Sequence, residues 1–414
     1  MDGRYCVKNN ALRIIFSLLV AASLLATHTA LAQTTLTPNP DQLLGQSLQA
    51  IREARLDRAL GHLDTLIHLR PDFRLAHIIR GDVLLARAKP LSDFADGFKA
   101  PKNESLEGMR DEARARLMRY IDQPDPGLMP SAILQLAPEQ RYALLADASR
   151  SRIYLFENID GTPRLLHDHY LSIGRKGVEK RIEGDLKTPL GVYHITSEKD
   201  PKSLTDFYGS GAFPINYPNT WDASLGRSGH GIWLHGVPSS TYSRPPRASE
   251  GCMVVTNPDL DALRPYIQPG ITPIIISERV EWLQPDAWQA RRNALLDHLK
   301  NWETAWETRD DSAYINHYSD SLRNRRGWTE ARSERIRNKA WIKLDLSHLA
   351  LFTHPEEQLA VASFVQDYRS DRVADRSQKT LYLKTTDAGW KIALEQSSPL
   401  PPVEPNVRLA QRQH

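Results

Sequence analysis

Two residues stand out as a pair able to do covalent chemistry: His235, in Gly231-Ile232-Trp233-Leu234-His235-Gly236, and Cys252, in Ser249-Glu250-Gly251-Cys252. The only other cysteine, Cys6, lies in a segment that reads as a cleaved leader, which leaves Cys252 with no intrachain disulfide partner. A thiol attacks a carbonyl only when its proton is removed and its position is fixed. A neutral imidazole, with a pKa of about 6.5, can accept that proton and return it to a leaving amine. His235 closes an apolar strand-like run, so its side chain emerges at a strand end beside the flexible Gly236. Gly251 permits close backbone approach or positive φ next to the thiol. Backbone N–H groups of that turn can form an oxyanion hole, typically worth about 3 kcal/mol per donor. Ser249 either orients the imidazole or a substrate amide, or satisfies the turn itself. His230 is expected to have a structural role near the site. A zinc centre is disfavoured, because one cysteine with His230 and His235 lacks the spacing of a closed structural site, and no metal or cofactor is expected.

These elements resemble the catalytic signature of the YkuD-type L,D-transpeptidase family: His-Gly, an intervening loop, then Ser-x-Gly-Cys. An upstream run, Gly184-Asp185-Leu186-Lys187-Thr188-Pro189-Leu190-Gly191-Val192-Tyr193, is similar to the family's strand entry, and Asn257-Pro258-Asp259 after the cysteine also fits. The resemblance covers residues 140–278, with three motifs in the family's order. It implies Cys252 as nucleophile and His235 as proton acceptor and donor, with Ser249, Gly251, Gly236 and His230 in support. One departure is visible. Many members carry an arginine two residues after the cysteine, where this chain has Val254, so Arg247 and Arg244 become the candidates for a substrate carboxylate.

The elements that must position these residues fall into three parts. Residues 33–135 read as a helical arm, with Leu56, Leu60, Leu63, Ile67, Leu75, Ile78 and Ile79 at helical spacing and a turn at Arg70-Pro71-Asp72. The arm resembles a single tetratricopeptide-like hairpin; an ordinary helical subdomain or dimerisation arm is the equal alternative, since a lone repeat lacks neighbours to cover its faces. Residues 140–278 read as a mostly-β sandwich or partly closed barrel, with strands at 152–156, 165–173, 191–195, 231–235 and 272–276. Residues 285–397 begin with an amphipathic helix over 287–309, pass through an arginine-rich stretch, and end in strands at 359–366, 378–385 and 390–395. Asp387-Ala388-Gly389 is the expected hairpin turn between the last two. This α+β cone resembles a nuclear-transport-factor-2-like (NTF2-like) domain. Residues 398–414 read as a tail.

Composition narrows the function class. Arg4, Lys8 and Arg13, then an apolar run from Ile14 to Ala26, then Ala30-Leu31-Ala32, make residues 1–32 a signal peptide, so the mature protein is expected to be secreted or periplasmic in the cell envelope. The apolar run falls short of the roughly 20 residues a membrane-spanning helix needs. The formal net charge of the whole chain is +3, most of it in the leader. The nearly neutral remainder argues against nucleic acid as a partner. The expected partners are peptidoglycan stem peptides, with protein partners or self-association through the helical arm. A YkuD-type domain joined to an NTF2-like domain resembles cell-shape-determining L,D-carboxypeptidases that trim tetrapeptide stems to tripeptides; L,D-transpeptidases share the arrangement. The alternative is a non-catalytic scaffold that binds peptidoglycan or partners.

Overall fold

The computed structural model describes residues 39–91, 94–95, 106–387 and 389–401, so the expected leader and residues 402–414 of the tail lie outside the described residues. Helices Pro40–Arg52, Leu56–Leu69, Arg74–Ala86 and Leu106–Ile121 form the arm. The first is started by Asn39, whose side chain accepts from the Asp41 N–H at 2.9 Å, with Pro40 in the first turn. The apolar stripes converge on Leu44, Leu63, Leu66, Phe73, Ala76 and Ile79. The core so formed also takes in Tyr242, from the part of the chain that carries the cysteine.

Within the region 33–135 the last helix ends at Ile121. Pro124, Pro126 and Gly127 end helical structure, and from Met129 the chain is extended. Met129–Pro130 pairs with Trp282–Leu283, and Ile133–Gln135 joins the C-terminal sheet.

At the centre is a five-stranded mixed sheet in the spatial order Thr162–Tyr170, Arg152–Ile159, Tyr142–Asp147, Pro273–Ser277, Gly191–His194. Only Tyr142–Asp147 and Pro273–Ser277 pair in parallel. Both faces are covered. Leu144, Ala146, Ile153, Leu155, Ile274 and Ile276 point into one core, while Ala143, Leu145, Tyr154, Phe156 and Ile275 point into another. Two-sided burial is why YALLAD, RIYLF and PIIIS read as continuous apolar runs rather than alternating ones. The first core is closed by a three-stranded sheet, Met253–Val254, Trp233–His235 and Ala212–Pro214, through Met253, Leu234 and Phe213.

The second core is closed by the C-terminal sheet, in the order Gly389–Pro399, Ala374–Thr386, Leu359–Ser370, Ile342–His354, Ile133–Gln135. Its Ala350, Phe352, Val361 and Tyr382 face the central sheet. Leu351, Ala360, Ala362, Leu381 and Leu383 face Leu295, Leu299 and Trp302 of the helix Pro285–Glu307. The molecule is therefore layered: small sheet, central sheet, C-terminal sheet, helix. The arginine-rich stretch folds as helices Asp311–Asn316, Asp320–Arg323 and Trp328–Arg337. Strand Ile342–His354 had no counterpart in the sequence reading. Its register shifts between Ser347 and Ala350, with His348 at φ 55°, so the alternation that begins at Ile342 and Leu344 is broken midway. Thr386 pairs with Gly389 where the last two strands meet, and the last strand runs to Pro399; Ala388 of the expected turn lies outside the described residues.

Polar contacts reinforce the shared core. Trp221 stacks on Tyr382 with centroids 5.6 Å apart and donates Nε1–H to Glu357 at 2.6 Å. Because Leu145 is fully buried between the two sheets, Leu145→Ala is expected to cost about 2–5 kcal/mol. Urea unfolding followed by tryptophan fluorescence and by circular dichroism should give one shared transition at lower midpoint; two separated transitions would contradict a common core.

Candidate active site

The layering puts the histidine on one strand of the small sheet and the cysteine just before the neighbouring strand. Trp233–His235 and Met253–Val254 pair in parallel, with Met253 opposite Leu234 and Val254 opposite His235. Cys252 therefore sits at the entrance of one strand while His235 closes the other. The Cys252 thiol is partly buried and donates to the Gly231 carbonyl at 3.4 Å, not to the imidazole. Burial raises its pKa; the Trp233 backbone N–H, Arg244 and Lys180 pull it back, Glu250 adds to the rise, and the net direction is upward.

His235 is almost fully buried and packs against the rings of Tyr208 (5.1 Å, edge-on) and Phe207 (5.8 Å), which also touch each other. Its Nδ1 lies 2.7 Å from the Gly236 carbonyl. A carbonyl only accepts, so Nδ1 carries the proton and Nε2 keeps its lone pair. Burial lowers the His235 pKa to about 4, with Arg244 pushing the same way and the Gly236 hydrogen bond opposing both. At neutral pH the resting pair is a neutral thiol and a neutral imidazole with Nε2 ready to accept.

The turn before the cysteine is built by groups that take no part in covalent chemistry. The Ser249 hydroxyl donates to the Cys252 carbonyl at 2.6 Å and accepts from the Gly251 N–H at 3.1 Å. Of the two roles considered for Ser249, this geometry is that of satisfying the turn, and it leaves the Gly251 N–H engaged. Gly251 has φ +126°, and a Cβ there would meet the Lys187 carbonyl at 2.7 Å, so no other residue fits without displacement. Its carbonyl accepts from the Thr188 hydroxyl at 2.9 Å, and Thr188 Oγ1 in turn accepts from the Gly174 N–H at 2.9 Å. The Thr-Pro motif is thus a buttress under the cysteine. Asp185, four residues before Pro189, is held ionised, its pKa about 2. Burial would raise it, but the N–H groups of Arg181, Ile182 and Lys187 and the Lys180 ammonium outweigh that.

Asn257 does the matching work on the histidine side. Its Oδ1 accepts from the N–H groups of Ser210 and Val237, both at 3.0 Å, and its Nδ2 donates to the Val237 carbonyl at 2.9 Å. A side chain at Gly236 would run into Asn257 Oδ1. Asn257 and Thr188 were visible only as parts of motifs, and Phe207 and Tyr208 had no sequence signal, because their role comes from a loop fold.

The remaining candidates separate. His230 is exposed and lies 3.3 Å from Glu183 on the surface. Arg247 is exposed on the strand Arg247–Ser249, which pairs with Ile173–Gly174. Arg244 is half-buried, its guanidinium 4.8 Å over the Phe207 ring, and its charge acts on both Cys252 and His235. No carboxylate among the described residues pairs with it. Among the described residues no group of three or more His, Cys, Asp or Glu is placed to hold a metal, and no helix is long and apolar enough to cross a membrane.

Comparison with known proteins assigns these parts. Residues 141–276 match the family model of the L,D-transpeptidase catalytic domain, and residues 294–396 that of the Cds6 C-terminal NTF2-like domain. The chain thus joins a YkuD-type L,D-transpeptidase domain to an NTF2-like domain, which associates it at family level with peptidoglycan modification. Among solved structures it is similar to Bd1075 of Bdellovibrio bacteriovorus, at 29% identity and a TM-score of 0.59 over 66% of this chain and 99% of that one. It also shares the fold of the helical cell shape determining protein Pgp2 of Campylobacter jejuni, at 24% identity and a TM-score of 0.54 over 66% and 96% of the two chains. No curated protein matches the chain.

The pH dependence follows from the resting pair. For a free enzyme, kcat/KM reports the ionisation of unbound groups. With His235 as acceptor, the acid limb is expected to fall as pH drops through about 4, where the imidazole becomes charged. Alkylation of Cys252 by iodoacetamide should rise with pH through a midpoint above the ordinary thiol value of about 8.5. An acid limb near 6.5, or a thiol titrating well below 8.5, would contradict a buried neutral pair.

Proposed function

We propose that the protein is an exported peptidoglycan-modifying cysteine enzyme that acts on stem peptides through a Cys252 thioester, working as an L,D-carboxypeptidase. The observation that carries this reading is the fixed tautomer of a buried, uncharged His235 on the strand beside Cys252. Nε2 takes the thiol proton as Sγ attacks the carbonyl of the L-centre of the diamino acid. The tetrahedral oxyanion is stabilised by backbone N–H groups, for which the Cys252 N–H is the candidate, since that of Gly251 is engaged. Collapse breaks the amide bond, the imidazolium protonates the leaving amine of D-alanine, and a thioester remains. Water, deprotonated by His235, then attacks the thioester, releasing the shortened stem and restoring the thiol.

Arg244 is assigned the free carboxylate of the departing D-alanine. It is a cation beside the thiol without a carboxylate partner among the described residues, and Val254 stands where many family members carry an arginine. The preference for hydrolysis over cross-linking rests on the resemblance of the YkuD-type and NTF2-like combination to cell-shape-determining L,D-carboxypeptidases, and the likeness to Pgp2, described as a helical cell shape determining protein, agrees with a role in cell shape. The export reading rests on residues 1–32.

Tetrapeptide and pentapeptide muropeptides, incubated with and without an acceptor stem and resolved by mass, test this. Tripeptide with free D-alanine is expected from the tetrapeptide; cross-linked dimers would make the enzyme a transpeptidase. Cys252→Ala should abolish turnover, and His235→Ala should lower kcat/KM by roughly 10²–10⁴-fold. No product from the wild-type protein, or undiminished product from Cys252→Ala, would overturn the enzymatic reading in favour of a binding scaffold.

A further inference from the structure

Arg244 lies in an irregular segment between the His235 strand and the strand Arg247–Ser249, flanked by Pro238, Pro245 and Pro246. A segment of this kind has no strand ladder to fix its backbone, and the residues just before Arg244 are gripped instead by the helical arm. The Tyr242 ring is buried in the arm's core, 4.6 Å from Phe73 and with the Arg70 guanidinium 4.6 Å over its face. Its backbone N–H donates to the Asp72 carbonyl at 3.4 Å. The Ser243 hydroxyl donates to Glu112 at 2.6 Å and accepts from Arg116 Nη2 at 2.6 Å. Glu112 and Arg116 are buried on helix Leu106–Ile121, and Arg116 also pairs with Asp41 of the first helix. On the catalytic side, Tyr170 donates its hydroxyl to the Arg244 carbonyl at 2.9 Å, and Ser172 donates to the Pro245 carbonyl at 2.6 Å. Arg116 lies 4.0 Å over the ring of that same Tyr170.

A brace serving stability alone has little use for buried charges, whose desolvation offsets most of their attraction; what such a network supplies is a fixed geometry. Here the geometry is fixed at the two residues that set the direction in which the Arg244 side chain leaves the backbone. We propose that the helical arm is a positioning element for the active site: by holding Tyr242 and Ser243 it aims Arg244 at the space beside Cys252 and His235, where the guanidinium receives a substrate carboxylate. This rests on the assignment of Arg244 made above. Tyr242 and Ser243, with Phe73, Glu112 and Arg116 behind them, are then positioning residues that act through Arg244 and touch no substrate.

The test uses two thiol reagents of nearly equal size, iodoacetate, which carries a carboxylate, and iodoacetamide, which does not. Alkylation rates of Cys252 in the full chain, read on the Cys252 peptide by mass spectrometry, give a ratio that reports the cation beside the thiol without any need for turnover. Arg244→Ala should lower the iodoacetate-to-iodoacetamide ratio about fivefold, the scale of one unit charge acting over a few ångströms in partly solvated protein. Tyr242→Ala should bring the ratio close to that of Arg244→Ala, and Ser243→Ala should lower it part of the way. Adding Arg244→Ala to Tyr242→Ala should produce little further loss, since both remove the same charge from the same place. Circular dichroism and thermal melting confirm that each variant is folded; should Tyr242→Ala fail to fold, Ser243→Ala carries the test. Folded arm variants with the wild-type ratio would overturn the positioning role, as would an unchanged ratio in Arg244→Ala. Failure of the protein to act on muropeptides would sink the proposed function while leaving this ratio readable, so the two failures are distinct.

Discussion

Everything the site does depends on one short piece of parallel pairing, Trp233–His235 against Met253–Val254. Parallel strands cannot be joined by a tight turn, so the chain needs a long excursion between them. That excursion is the 17-residue separation of His235 and Cys252. It contains Arg244 and the residues the helical arm grips. The pairing therefore accounts for two things at once: why the histidine and thiol lie side by side, and why an irregular segment comes to supply a cation with no carboxylate partner among the described residues. Glycine is needed where backbones close in. Gly251 reaches φ +126° against Lys187, and Gly236 packs against Asn257.

Burial sets the electrostatics. A thiolate–imidazolium pair would need both charges stabilised, but desolvation pushes the Cys252 pKa up and the His235 pKa down to about 4. The nearby Arg244 charge favours the thiolate and disfavours the imidazolium. In the proposed mechanism the Cys252 thiol therefore keeps its proton until a substrate carbonyl is presented. In that proposal Arg244 serves two ends, anchoring a carboxylate and stabilising negative charge on sulfur as it develops.

The candidate site was legible in the sequence where residue type alone suggests chemistry: Cys252 and His235 could be proposed as a pair, and the structure brings them to neighbouring strand ends. The choice between Arg247 and Arg244 was not readable, because they stand three residues apart and only the fold puts one on the surface of a strand and brings the other's charge to the thiol. Thr188 and Asn257 appeared as motif letters without a job. Their hydrogen bonds reach 63 and 47 residues along the chain, distances at which no local pattern speaks. Strand Ile342–His354 was hidden by its own bulge, and Ile133–Gln135 by its distance in sequence from the sheet it completes. The helical arm was visible as helices through their apolar spacing, but its docking on Tyr242 and Ser243 depends on side chains more than a hundred residues further along the chain.

The central claim is that Cys252 forms a covalent thioester with a stem peptide. Intact-protein mass spectrometry of the enzyme, acid-quenched during turnover of a tetrapeptide stem, measures this directly. The account predicts a mass increase equal to the tripeptide acyl group, located on the Cys252 peptide, labile to hydroxylamine and absent in Cys252→Ala. D-alanine release from the tetrapeptide with no adduct on Cys252 at any quench time, and with Cys252→Ala still active, would contradict it.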